Sequence, residues 1–268
     1  MTPSHGFTGG WVLAIHCAAV VAAAAAPASV LTVDPGGVVR WVGDGTESCS
    51  AGERIWAPVG DTCFYPIDLE DRGEVRLGRT RAGRSESATV LVGEYPYEVQ
   101  RLTVDERMVH LSAEDAERAR REGERVAELW EREGIPRFEL PLGPPLDRMP
   151  AGGSFGKRRF FNDEPRSPHA GADYAGPAGT PVRAAAAGTV ALAEEHFFGG
   201  KSVYLDHGGG LVTVSLHLSR IDVVPGTAVT RGQVLGLSGA TGRVTGAHLH
   251  FGVRWHGKRV APALLLGP

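Results

Sequence analysis

Four side chains in the C-terminal half have the types and spacing to do chemistry: His169, Asp173, His248 and His250. They stand in two short motifs, His169-Ala-Gly-Ala-Asp173 and His248-Leu-His250. Imidazole nitrogens with a carboxylate oxygen form a ligand set that suits zinc, and three such ligands leave a fourth position open for water. A strand over residues 247–253 would point residues two apart to the same face. His248 and His250 then share a polar face while Leu249 and Phe251 turn into a core. Either motif alone is only a hypothesis, because short pairs of this kind arise often by chance. Together they make a three-ligand site with one histidine to spare, His248 or His250.

Zinc brings the pKa of a bound water to about 7 and polarises a carbonyl oxygen. Amide cleavage then needs only proton traffic and stabilisation of a tetrahedral intermediate. The spare histidine can serve one of those needs. His217, in Val214-Ser215-Leu216-His217-Leu218, is a further candidate because it interrupts an apolar run. Its bland reading is a satisfied core histidine. There is no His-Glu-x-x-His sequence, so a thermolysin-like glutamate base is not supported. Residues 236–246 are glycine-rich but lack a Gly-Lys-Ser/Thr ending, which argues against a phosphate loop.

The elements that must position these groups are short strands and tight turns. At 268 residues the chain has room for two modest domains. Its formal charge of -3 gives no basic footprint for nucleic acid. Residues 29–103 have the composition of a small β domain, with strands at 38–42 and 88–92 and a Gly-Asp-Gly turn at 43–45. Its Trp and Tyr residues fit a core better than a sugar-stacking platform. Cys49 and Cys63 most simply form one disulfide if the chain is exported. Residues 104–147 hold a linker helix lying on one domain. Ser112 and Asp115 start it in the manner of a capping box, and Gly134-Ile135-Pro136 stops it. Pro141, Pro144, Pro145 and Pro150 mark a boundary. From 148 to 268 the pattern is β again, with strands at 203–205, 211–218, 233–237 and 248–255.

The first 28 residues have the form of an export signal. Residues 11–26 are almost wholly apolar and Ala26-Pro27-Ala28 resembles a cleavage site, although no Lys or Arg precedes them. A retained membrane anchor is the competing reading, but the run is short of the roughly 20 residues a span needs. His16 before Cys17 argues against a lipoprotein.

From about residue 153 to 266 a longer series of motifs runs in order. It comprises Ser154-Phe155-Gly156, His169-x-x-x-Asp173, Ala178-Gly179-Thr180-Pro181-Val182, Gly188-Thr189-Val190 and Asp206-His207-Gly208. It continues through His217-Leu218-Ser219, Gly232-Gln233, Gly236-Leu237-Ser238-Gly239, Thr241-Gly242 and Thr245-Gly246-x-His248-Leu249-His250-Phe251. This series resembles the lysostaphin/LytM-type family of zinc endopeptidases, which cleave peptide cross-bridges of bacterial peptidoglycan.

The resemblance implies that His169, Asp173 and His250 hold Zn2+. It also implies that His217 and His248 are the catalytic pair beside the metal-bound water and the developing oxyanion. The implied fold is a compact antiparallel β peptidase domain with its zinc in a groove walled by loops. The implied partners are peptidoglycan stem peptides or cross-bridges, met in the periplasm, in the cell envelope or outside the cell. Membrane contact would come only through the export signal or a retained anchor. Ser215 departs from the tyrosine found there in many members, which bears on a groove wall. Arg158, Arg159 and Asn162 fall where relatives have a groove-bordering loop, as substrate contacts or as a solvated loop. Two rivals are a non-catalytic peptidoglycan binder or activator of other hydrolases, and a latent enzyme whose N-terminal domain covers the groove.

Overall fold

The computed structural model describes residues 31–267, so the export segment read at 1–28 lies outside the described residues. The described chain is mainly β with a single α-helix, Ala113–Ala127. No helix among the described residues is long and apolar enough to cross a membrane.

The element that organises the C-terminal half is the strand His248–Trp255. It pairs antiparallel with Gly171–Ala175 on one side and Leu211–Leu218 on the other. Gly200–Asp206, Gly188–His196 and Ala228–Val229 continue the sheet outward, and Lys258–Val260 also pairs with His248–Trp255. Alternation along the central strand decides its two faces. Leu249, Phe251, Val253 and Trp255 are each almost fully buried in the main core. Burying a side chain of that size contributes about 1.5–3 kcal/mol, so slipping the register by one residue would forfeit four such gains. The opposite face holds His250 and His248 at one end. Its other end carries Val212, Val214 and Tyr204, which Leu129 covers.

The helix and the turn that follows it reach that second face, where Val126, Leu129 and Trp130 pack with Tyr204, Val212 and Val214. The Ser112 hydroxyl accepts from the Asp115 backbone N–H at 3.1 Å, capping the first turn. The α-helix ends at Ala127, earlier than the Gly134 stop signal implies, and a 3-10 turn, Glu128–Glu131, completes it. Glu122 accepts from the Phe197 backbone N–H at 2.7 Å, and Arg125 pairs with Glu194 at 2.7 Å. The helix therefore lies on the hairpin formed by Gly188–His196 and Gly200–Asp206.

Before residue 93 the chain forms a five-stranded sheet and a two-stranded ribbon, Val38–Val42 with Thr62–Pro66. A disulfide joins Cys49 to Cys63 in a core that also contains Tyr65, Ile67 and Leu77. Phe64 stacks on Trp255 with centroids 5.2 Å apart, fastening this unit to the central sheet. Arg259 adds an ion pair to Asp68, whose carboxylate also accepts from the Arg259 backbone N–H at 2.8 Å. Burial pushes the Asp68 pKa up, but these bonds outweigh it and hold the carboxyl down at about 2.

A depressed native pKa stabilises above the unfolded value near 3.8 and is lost as pH falls toward 2. Melting of the full chain should therefore lose stability between about pH 4 and pH 2. Asp68→Asn should flatten that portion of the curve, and an unchanged slope in the variant would remove Asp68 as its cause.

A further three-stranded sheet bears on the site. Val99–Leu102 runs parallel to Arg158–Phe161, which pairs in turn with Glu164–Pro165. Tyr95 donates its hydroxyl hydrogen to Gly156 O, and Tyr97 donates to Pro35 O at 2.7 Å. The upstream chain is thus fastened to the segment that leads into the first ligand motif.

Candidate metal centre

The register of two strands makes the site. Asp173 and His250 are directly opposed across the Gly171–Ala175 and His248–Trp255 ladder, although 77 residues separate them. Opposed side chains on one face come within about 5 Å at Cβ. His250 Nδ1 lies 2.9 Å from Asp173 Oδ1, and His169 Nε2 lies 3.1 Å from the same oxygen and 2.8 Å from His250 Nδ1. His169 Nδ1 is 2.9 Å from the Ser154 carbonyl, which can only accept, so the ring hydrogen sits on Nδ1 and Nε2 is bare. A bare nitrogen lone pair therefore faces a carboxylate oxygen at 3.1 Å with no hydrogen between them. A small cation resolves that opposition. A tetrahedral ion with bonds near 2.0–2.1 Å sets its ligands about 3.3 Å apart, close to this triangle. The donor set fits a metal.

The other oxygen of Asp173 is held at 2.8 Å by Arg159, whose Nε donates to Gln100 Oε1 at 3.1 Å. Burial raises the Asp173 pKa, yet the hydrogen bonds and charges around it hold the carboxyl well below the usual carboxylate range. Burial lowers His169 to about 4, against the pull of Asp173, so its ring is neutral and its lone pair available at neutral pH. The rings of His169 and His250 sit 4.7 Å apart, and the His250 ring packs against Gly171. A Cβ at Gly171 would meet His250 Nε2 at 2.6 Å and Phe251 O at 2.6 Å, and the second is backbone that cannot swing aside. Gly171→Ala should therefore displace the His250 ring and weaken metal binding by about tenfold or more. Metal titration of the folded variant checks this, and unaltered affinity would show that the strand relaxes.

His217 approaches from the third strand by a device that the apolar pattern does not announce. Lys201 pairs with Leu218 and Val203 with Ser215, so Leu211–Leu218 carries one extra residue there. Bulges of this kind re-aim a side chain. His217 takes up the irregularity at φ 64°, a left-handed conformation rare for residues other than glycine. Its Nδ1 donates to Thr241 O at 2.9 Å, leaving Nε2 bare. Thr241 is itself fixed: its hydroxyl donates to Leu218 O at 2.7 Å and accepts from Lys201 N at 2.9 Å. His248 Nδ1 donates to Gly246 O at 2.8 Å, and its Nε2 comes within 3.6 Å of Asp173 Oδ1. The His217 and His248 rings are 4.9 Å apart. Burial, then the nearby His250 and His248, lower the His217 pKa to about 3.

Comparison with known proteins matches this arrangement. The model of Peptidase family M23 covers residues 167–262, which contain all five of these side chains. A crystal structure assigned to peptidase M23 from Pseudomonas aeruginosa superimposes with a TM-score of 0.66 at 34% identity, over 86% of this chain and 93% of that one. The chain belongs to peptidase family M23.

Among curated M23 relatives, the peptidoglycan DD-endopeptidase ShyA of Vibrio cholerae is 47% identical over 94 residues, 35% of this chain and 22% of its own length. The DD-carboxypeptidase/endopeptidase Mpg of Neisseria meningitidis is 41% identical over 100 residues, 37% of this chain and 23% of its own. The match therefore spans under a quarter of each of these two relatives.

Within this M23 chain the structure brings His169, Asp173, His250, His217 and His248 into one cluster. Other polar residues singled out in the sequence are occupied elsewhere. Arg159 binds Asp173, Arg158 lies over the Tyr95 ring at 4.6 Å, and Asn162 exchanges hydrogen bonds with the Val104 backbone. His207 is fully buried between Ala187 O and the Thr213 hydroxyl, each at 2.8 Å, and is structural. Ser215 is buried between Val203 and Phe251 in the sheet. Sequence reasoning assigned no role to Gln100 or to the carbonyls of Ser154 and Thr241. Carbonyl orientation leaves no mark on residue type, and Gln100 acts across a parallel pairing.

Proposed function

We propose that this chain is an exported, zinc-dependent endopeptidase that hydrolyses peptide cross-bridges of bacterial peptidoglycan by metal-activated water. The observation that carries the proposal is the convergence of ring nitrogens. His169, His217 and His248 each commit Nδ1–H to a backbone carbonyl, so each turns a bare Nε2 away from that carbonyl, and the cluster they form includes Asp173 and His250. Three of these groups, His169, Asp173 and His250, would hold the ion, since their donor atoms lie within 4.8 Å of one another. A zinc ion bound there supplies Lewis acidity and brings water to a pKa of about 7.

The remaining two, His217 and His248, handle protons at Nε2. A neutral Nε2 accepts a proton from the attacking water, and the imidazolium so formed donates it to the departing amine. The carbonyls of Thr241 and Gly246 fix the ring orientations, so no reorganisation is needed as charge develops. Arg159 binds the second oxygen of Asp173 at 2.8 Å and so orients the carboxylate. The printed name of ShyA, a peptidoglycan DD-endopeptidase, supports peptidoglycan as substrate and the cell envelope as the place of action.

Purified cross-linked muropeptides should be cut by the full chain into monomers, each scission adding one water. Mass spectra showing intact cross-links beside zinc-loaded protein would argue instead for a wall-binding or activator role.

A further inference from the structure

We propose that Arg243 forms a carboxylate-recognition subsite beside the metal centre, selecting peptides that carry a free carboxylate near the bond cut. This rests on the endopeptidase reading above and names the feature of the substrate that the site reads. A cavity of about 450 Å3 adjoins the centre, sharing His169 and His250 with it. Its wall includes Arg159, Arg166 and Arg243 and no carboxylate, in a chain whose formal charge is -3.

The three cations differ in how they are matched. Arg159 is paired with Asp173 and Arg166 with Glu164. Among the described residues no carboxylate lies within 4.0 Å of Arg243. Its guanidinium is instead held between two rings, 4.1 Å from the Phe198 centroid and 4.5 Å from that of Phe161. One donor goes to Met108 O at 3.1 Å, which leaves others of the five free for a ligand.

A cation stacked between rings is rigid and partly desolvated, and it gains most from an anion that completes it. Burial, with Arg166 and Arg159 nearby, lowers the Arg243 pKa to about 10, in keeping with a positive charge that lacks its counter-ion. Planar, two-point pairing makes a carboxylate the matching ligand.

The probes are an acetylated tripeptide ending in D-Ala-D-Ala as the free acid and as its C-terminal amide. Affinity is measured with the metal-free full chain, and kcat/KM with the zinc-loaded chain. The acid should be favoured by on the order of tenfold to a hundredfold. Arg243→Gln should bring the acid-to-amide ratio to about one, and Arg243→Lys should keep part of it, since only charge survives. Equal use of acid and amide by the unaltered chain overturns the proposal whatever the fate of the variants. So does a ratio that survives Arg243→Gln. Acid-selective binding that is lost in Arg243→Gln supports the subsite even where neither short peptide is cut, because hydrolysis of cross-links is tested separately on muropeptides.

Discussion

Asp173→Ala should abolish metal binding and destabilise the fold in the same step. One oxygen of Asp173 faces His169 and His250, and the other is bound by Arg159 at 2.8 Å. Removing the carboxylate takes away a ligand and also leaves Arg159, 18% exposed at its side chain, without its counter-charge. Breaking a buried pair from one side costs about 3–5 kcal/mol, and the partial exposure here places the expected loss near the lower end. Metal affinity should fall by more than the roughly 10- to 100-fold typical of changes to outer partners. Elemental analysis and thermal melting check the two effects separately. Full metal content in the variant would mean that Asp173 is not a ligand.

His217→Asn is expected to separate chemistry from assembly. Asn is tolerated in the left-handed region better than most residues, so the φ of 64° at this position need not change. Its amide can still donate to Thr241 O. It cannot take up and release a proton, and turnover should drop by about 10²–10⁴-fold while metal content and melting stay near those of the unaltered chain. Residual turnover within tenfold would assign the proton traffic to His248 alone.

How far the sequence disclosed all this depends on the range of the interaction. The strand His248–Trp255 was legible to its ends, because alternation of Leu249, Phe251, Val253 and Trp255 with polar or small residues is a local signal. The Ser112 cap is equally local. The first turn of the helix was therefore clearer than its end, where Leu129 docks on Tyr204 and the last turn tightens. The candidate ligands were visible as His and Asp, and the opposition of Asp173 and His250 across one ladder required only the correct pairing of two strands.

The bulge at His217 was not legible, since no Gly or Asn stands there to announce a positive φ. The bond from Arg159 to Asp173 was not legible for a related reason. In sequence it belongs to a charged loop, and only the parallel pairing of Val99–Leu102 with Arg158–Phe161 turns it toward Asp173 and gives it Gln100. Arg243 likewise gains its meaning from Phe161 and Phe198, distant residues that close around it.

The central claim is metal-dependent hydrolysis of wall peptides at the His169–Asp173–His250 centre. The most direct measurement is release of new amino groups from purified peptidoglycan by the full chain with zinc, after chelation, and in His250→Ala. Release that depends on zinc, stops on chelation, returns on adding zinc back and is lost in His250→Ala is the expected result. Release that persists in His250→Ala or in chelator would contradict it.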